Sequence, residues 1–233
     1  MTSLVQPARI FVDPLGGTRS AVEARHWLWP LLILAFCVAA SGTVFALRWD
    51  AATSVVSSLP TDATASSVSE SDIAEQIQTA SRKALVGGIA NGLIVMPLMV
   101  LLLACILWVT AWLFNKPASF GQLMAAAAVA LLPIALYHLI YAVCASYQHS
   151  LTTLRAERLV PSSLALLDGL SPKMQRVLKG ADFFNLWSVG LLGVGFSTAT
   201  GMRLGRALVL IGVLYLMYVG VFVIGLPGMG GGQ

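Results

Sequence analysis

Asp182, Asn185 and Ser188 recur every third residue at the head of an apolar run. On a helix they form one slowly drifting stripe, with Phe183, Phe184 and Trp187 around it. A carboxylate, an amide and a hydroxyl in a row have the chemistry of a ligand or ion site. They equally have the chemistry of an interfacial helix cap followed by a seam that pairs two helices. Either way the stripe is expected against protein or at the headgroup edge, because hydrocarbon offers these groups no partner. A second candidate is His138 with Tyr137 and Tyr141, just after Pro133. An imidazole among phenols inside a span suits a proton relay or the lining of a substrate path. The competing reading is an aromatic belt around a satisfied imidazole, since no carboxylate in the span completes a relay. The sequence contains no HExxH pair, no GxSxG and no paired carboxylates within an apolar run. Intramembrane hydrolysis therefore lacks its nucleophile and its metal ligands, and no enzyme is expected. Cys37, Cys105 and Cys144 stand singly in apolar runs, so they read as small core hydrophobes. No disulfide, metal site or cofactor is expected.

The elements that must position these residues are membrane helices. Of 233 residues, 58% are hydrophobic and 10% charged, and the mean hydropathy is +0.83. A soluble domain of this length cannot hide so much apolar surface, so the excess is expected to meet lipid. The net charge is +4 with no dense Lys/Arg block, which argues against a nucleic-acid partner. The fold class expected is all-α, a polytopic membrane protein with five transmembrane helices and short amphipathic interfacial helices. The spans lie at about 27–47, 86–114, 120–147, 183–200 and 207–226. At 1.5 Å per residue each covers much or all of a hydrocarbon core of about 30 Å. Trp27, Trp29 and Trp49 bracket the first span, and Trp108 and Trp112 approach the end of the second. Pro97 and Pro133 are the expected kinks.

Residues 1–26 read as an N-terminal cytoplasmic arm. In it Asp13-Pro14 starts a helix that lies in the headgroup plane or, weakened by Gly16-Gly17, stays irregular. Residues 50–71 read as a Ser-rich mobile loop, with a helix starting near Ser71 and continuing into the second span. Ser171-Pro172 opens a short amphipathic surface helix, and 227–233 reads as a disordered Gly-rich tail. No cleaved signal peptide is expected. Gly88/Gly92, Gly190/Gly193 and Gly201/Gly205 are candidate helix-packing positions. With the N-terminus inside, six basic and two acidic residues fall on inner segments, and eight of each on outer ones. That bias favours a cytoplasmic N-terminus and a periplasmic C-terminus.

Phe11 to Pro14, Trp27-x-x-Pro30, a proline-bearing second span, Asp182-Phe183-x-x-x-Trp187-Ser188 and Gly201-x-x-x-Gly205-Arg206-Ala207 carry a resemblance. Together they resemble the bacterial branch of the Yip family, the Ypt/Rab-interacting membrane proteins. The resemblance implies a five-span bundle in a bacterial inner (plasma) membrane. Eukaryotic members are trafficking adaptors for Rab-type GTPases, and this sequence lacks their acidic Tyr-Gly-Pro arm. Some bacterial relatives are encoded beside export systems built from an ABC-type permease and a periplasmic adaptor. The function implied is a non-enzymatic accessory or scaffold subunit whose partners are membrane lipid and other integral membrane proteins. Self-association into a homo-oligomer is a further expectation. An autonomous small-solute transporter or channel, lined by His138, Tyr141 and Asn185, is the alternative.

Overall fold

A computed structural model describes residues 5–58, 70–163, 166, 169–171, 174, 175, 178 and 182–221. Every regular element among them is helical: α1 (Val5–Val12), α2 (Pro14–Glu23), α3 (Leu28–Arg48), α4 (Ala51–Ser58), α5 (Glu70–Ala90), a π segment (Asn91–Val95), α6 (Met96–Leu113), α7 (Phe120–Ala130), α8 (Leu132–Ser146), α9 (Thr153–Arg158), α10 (Phe183–Thr200) and α11 (Leu204–Tyr218). The chain is an all-α polytopic membrane protein. Four described stretches are long and apolar enough to cross a membrane: Leu28–Arg48, Glu70–Leu113, Phe120–Ser146 and Leu204–Val221. The fourth expected span, α10, is not one of them. Its 18 residues include Asn185, Ser188, Ser197, three glycines and two threonines, and most of the helix is covered by protein rather than lipid. A helix wrapped by other helices has no need of the apolarity that lipid demands.

Pro97 acts one turn before its own position. It offers no N–H to the Leu93 carbonyl, and its ring crowds that carbonyl. Asn91–Val95 widen to π geometry in response, and the Met96 N–H donates to the Asn91 carbonyl. Pro133 was expected as a kink in the middle of the third span, and the stretch 120–146 is interrupted just before it, so that Pro133 lies in the first turn of α8. α7 ends at Ala130, Leu131 turns at φ −90° and ψ 4°, and the missing proline N–H falls where none is needed.

The loop expected at 50–71 is helical over its first residues. Asp50 accepts from the Thr53 N–H at 3.0 Å and the Thr53 hydroxyl at 2.8 Å, starting α4. Those two bonds hold its carboxyl below the ordinary carboxylate range. Residues 59–69, most of the helix expected from Ser171, and the tail at 227–233 lie outside the described residues.

Contacts divide the chain into two units. The first comprises the described residues of 1–34, 97–135 and 161–233, and its core helix is α10, packed by α2, α7 and α11. Ala125 to Ala130 are fully buried, as are Val22, Leu123 and Phe196. The arm expected to lie apart from the bundle belongs to this core. Asp13 caps α2 through the Gly16 N–H at 2.9 Å, which offsets the weak glycines. Gly17 then lets α1 fold back: a methyl there would sit 3.0 Å from the Ile10 Cα. The face formed by Gly17, Thr18, Ala21 and Val22 is buried, and small residues on it permit close approach to the alanine face of α7.

The second unit comprises the described residues of 35–96 and 136–160. Here backbones meet. A methyl on Gly42 would lie 2.6 Å from the Gly88 Cα, and one on Gly92 would lie 2.6 Å from both the Ala35 carbonyl oxygen and the Ala39 Cα. The Arg48 guanidinium donates to the Ser146 carbonyl at 3.1 Å, the Leu151 N–H donates to the Arg48 carbonyl at 2.7 Å, and the Leu151 carbonyl accepts from the Asp50 N–H at 3.0 Å. No residue of α5 is buried.

Candidate functional site

In the second unit α3 and α8 carry a polar pair. The Ser41 Oγ lies 2.7 Å from His138 Nδ1 and 2.9 Å from the Val38 carbonyl. The hydroxyl has one proton. If it goes to the Val38 carbonyl, the imidazole proton sits on Nδ1 and Nε2 is left as an acceptor. If it goes to Nδ1, the imidazole proton sits on Nε2. Tyr137 meets the imidazole edge-on at 5.4 Å between ring centres and lies 6.4 Å from Tyr141. His138 and Tyr141 are both half-buried. Neither α3 nor α8 contains a carboxylate, so these helices supply no second proton acceptor. The pair can hold two helices in register, and it presents one ring nitrogen that Ser41 does not use. Ser41 was missed by sequence reasoning. A Ser-Gly step in the middle of a span, with Gly42 against Gly88, is the signal that marks it.

In the first unit the stripe at 182, 185 and 188 is divided among different tasks. Asp182 is the N-cap of α10, accepting from the Phe184 N–H at 2.9 Å and the Asn185 N–H at 3.1 Å through one oxygen. Its other oxygen takes the Ser162 hydroxyl, while the Phe183 N–H donates to the Ser162 carbonyl at 3.0 Å. The carboxylate therefore ties the preceding loop to the helix start, combining the cap with a half-buried contact. Asn185 is half-buried, and Ser188 is buried with its hydroxyl unpartnered among the described residues. Trp187 packs edge-on against Phe11 at 5.9 Å, which lays the N-terminal helices along α10. The three polar residues do not converge on a single point, as a ligand site would require.

The candidate packing glycines separate just as clearly. Gly88 and Gly92 pack against α3, and a methyl on Gly193 would lie 2.6 Å from the Leu208 side chain. Gly190 and Gly205 meet nothing within 4 Å of such a methyl. Gly201 also meets nothing and instead ends α10 in the left-handed conformation at φ 65°. Those three are therefore not packing positions among the described residues. The close contact that sequence reasoning missed is Gly195, where a methyl would lie 3.1 Å from the Ala126 Cα and 3.6 Å from Val22 Cγ2.

Among the described residues no three of His, Cys, Asp and Glu come together as a metal site. Cys37 is buried, but Cys105 faces outward. The family model described as the Yip1 domain matches residues 8–224 of the chain. No curated protein and no solved structure matches it.

Proposed function

The chain belongs to the Yip1 domain family, and from that premise we propose that it is a non-enzymatic accessory or scaffold subunit of a bacterial inner membrane. In this reading α10 is the fourth of five spans, the N-terminus is cytoplasmic and the C-terminus periplasmic. Its partners are other integral membrane proteins, with an ABC-type permease or its periplasmic adaptor first among them. The observation that carries the reading is the outer face of α11. This helix buries Ala207 and Ile211. About half a turn away, Gly205 and Gly212 have open space around them among the described residues, alternating along the helix with outward-facing Val209 and Leu216. Small residues that no described residue packs against, set among large apolar ones, form the kind of surface that takes a partner helix in lipid, where apolarity alone gives no preference for protein. Crosslinking in native membranes followed by mass spectrometry tests this. Recovery of permease or adaptor subunits in fixed stoichiometry, lost in a Gly205→Leu/Gly212→Leu variant of unchanged helicity, is the expected result. Recovery of the chain alone sinks it.

A second reading, an autonomous transporter or channel, is favoured by the π segment before Pro97 and by the imidazole nitrogen that Ser41 leaves unused. Solute flux through the purified chain in vesicles, abolished by His138→Ala, would support that reading over the first.

A further inference from the structure

Side-chain contacts fix how the helices of the first unit run. Phe11, at the end of α1 just before α2 begins, lies at Trp187, and Val22 near the end of α2 lies at Gly195, so α2 runs in the same direction as α10. Val22 and Ala126 share Gly195, and three residues on, the Arg25 stem reaches Gly121, its Cδ 3.5 Å from a methyl placed there. α2 therefore runs opposite to α7, and α7 opposite to α10. The end of α2, the α6–α7 turn and the α10–α11 turn consequently gather at one end of the unit.

That end is basic. It carries Arg25, Lys116, Arg203 and Arg206, all exposed, and Glu23 is the one acid on the same segments. None of the four cations holds an ion pair or a side-chain hydrogen bond among the described residues. Two of the helix ends also place a non-glycine residue in the left-handed region. Arg25 has φ 55° and Asn115 φ 51°. Around Arg25, its own N–H donates to the Val22 carbonyl at 3.1 Å and the His26 N–H to the Ala21 carbonyl at 2.9 Å. Around Asn115, the matching bonds run to Trp112 at 3.0 Å and from Lys116 to Ala111 at 2.9 Å. Glycine is the residue that fits such a position without steric cost. An arginine kept there retains a cation at a backbone cost. Beside Lys116, the residues Trp108, Trp112, Asn115 and Pro117 frame a groove of about 330 Å³, and both indoles are at least half exposed. The groove lies at the C-terminal end of α6, which closes a stretch long and apolar enough to cross a membrane, and tryptophans at such an end mark the headgroup level.

We propose that this end of the first unit, Arg25, Lys116, Arg203 and Arg206 with the Trp108–Trp112 groove, binds the headgroup of an anionic phospholipid. Unpaired cations beside interfacial indoles meet lipid phosphates before any other anion, and the net charge of the headgroup sets the preference over zwitterionic lipid. The inference stands apart from the accessory-subunit reading and survives its failure.

The test uses the full chain in bilayer discs of equimolar phosphatidylglycerol and phosphatidylcholine, with the lipids retained on gentle release counted by native mass spectrometry. Phosphatidylglycerol is expected to be retained in at least about tenfold excess, and each neutralised cation to lower that ratio by about twofold. R25Q/K116Q/R203Q/R206Q brings it close to one while far-UV circular dichroism stays unchanged. Should that variant fold poorly, Arg25→Gly relieves the left-handed strain, keeps the fold and still lowers the ratio. High salt does the same to the wild type. A wild-type ratio near one, or a ratio unmoved by the substitutions, overturns the proposal. So does saturable thermal stabilisation of the lipid-free chain in micelles by inorganic phosphate, which would mark a site for free anions.

Discussion

Around Gly195 the first unit packs a helix into a sleeve of side chains, whereas around Gly42 the second unit presses one backbone onto another. In the first, Ala125 to Ala130, Val22 and Phe196 are fully buried and α10 is covered on most of its faces. In the second, α5 buries nothing, and the joint rests on Gly42, Gly88 and Gly92 together with the Ser41–His138 and Arg48–Ser146 hydrogen bonds. The difference shows what substitutes for the hydrophobic effect between helices already dissolved in lipid. Either a helix is enclosed by many small contacts, or two helices come close enough that backbone atoms touch. The first arrangement tolerates a polar sequence, and the second tolerates almost no change at its contact points.

The largest effect should come from Gly92→Leu in the second unit. The new side chain meets backbone that cannot rotate away, and we predict a loss of about 3 kcal/mol or more in reversible unfolding by SDS titration of the chain in bicelles. Gly190→Ala, with open space around it, should instead stabilise by up to about 1 kcal/mol through helix propensity. Equal effects at the two sites would remove the contrast. Next comes Phe196→Ala in the first unit. A separated helix still lies in lipid, so the transfer term largely vanishes and the cavity term remains, leaving a cost of about 2 kcal/mol. A loss of about 4 kcal/mol in the same titration would show that the unfolded reference meets water. Asp182→Ala removes both the cap and the Ser162 tie, for about 1–2 kcal/mol. A smaller loss, together with unchanged hydrogen exchange at the Phe184 and Asn185 amides, would contradict the cap. Ser41→Ala should cost about 0.6–1 kcal/mol, the usual range for a polar pair between membrane helices. The same value in a His138→Ala background would mean the pair contributes nothing.

The smallest effect concerns pH. Asp50 has a lowered folded pKa because the Thr53 N–H and hydroxyl favour its charged form. Its contribution is therefore full above the ordinary carboxylate pKa of about 3.9 and is lost as pH falls through the lowered folded value. Helicity of α4, followed through labelled Ala51 and Ala52, should fall in that acid range, and Asp50→Asn should be flat across it.

Several elements were legible from pattern alone. Asp13-Pro14 and Asp182 announced two helix starts, and the apolar runs announced the lipid-crossing helices, because caps and hydropathy act within a few residues of sequence. Asp50 was equally able to cap a helix, but the Ser-rich stretch after it masked that signal. The N-terminal arm was harder to place. Its Arg-flanked apolar face fits a headgroup plane as well as a protein interior, and only the alanine face of α7 and the gap at Gly195 show which surface it covers.

By itself, then, the sequence determined that the chain is helical, that its apolar runs belong in a membrane and where most helices begin. Those outcomes follow from local hydrogen bonding and from each residue's preference for lipid or water. Which glycine is a contact and which is open space was settled by tertiary structure alone. Gly42 and Gly212 are the same residue inside apolar helices, yet a methyl at one strikes a backbone and at the other meets nothing among the described residues. The use of Asp182 as a tie to Ser162, and the pairing of Ser41 with His138 across 97 residues, were settled in the same way. Close approach is a property of two surfaces together, and one strand of sequence specifies only one of them at a time.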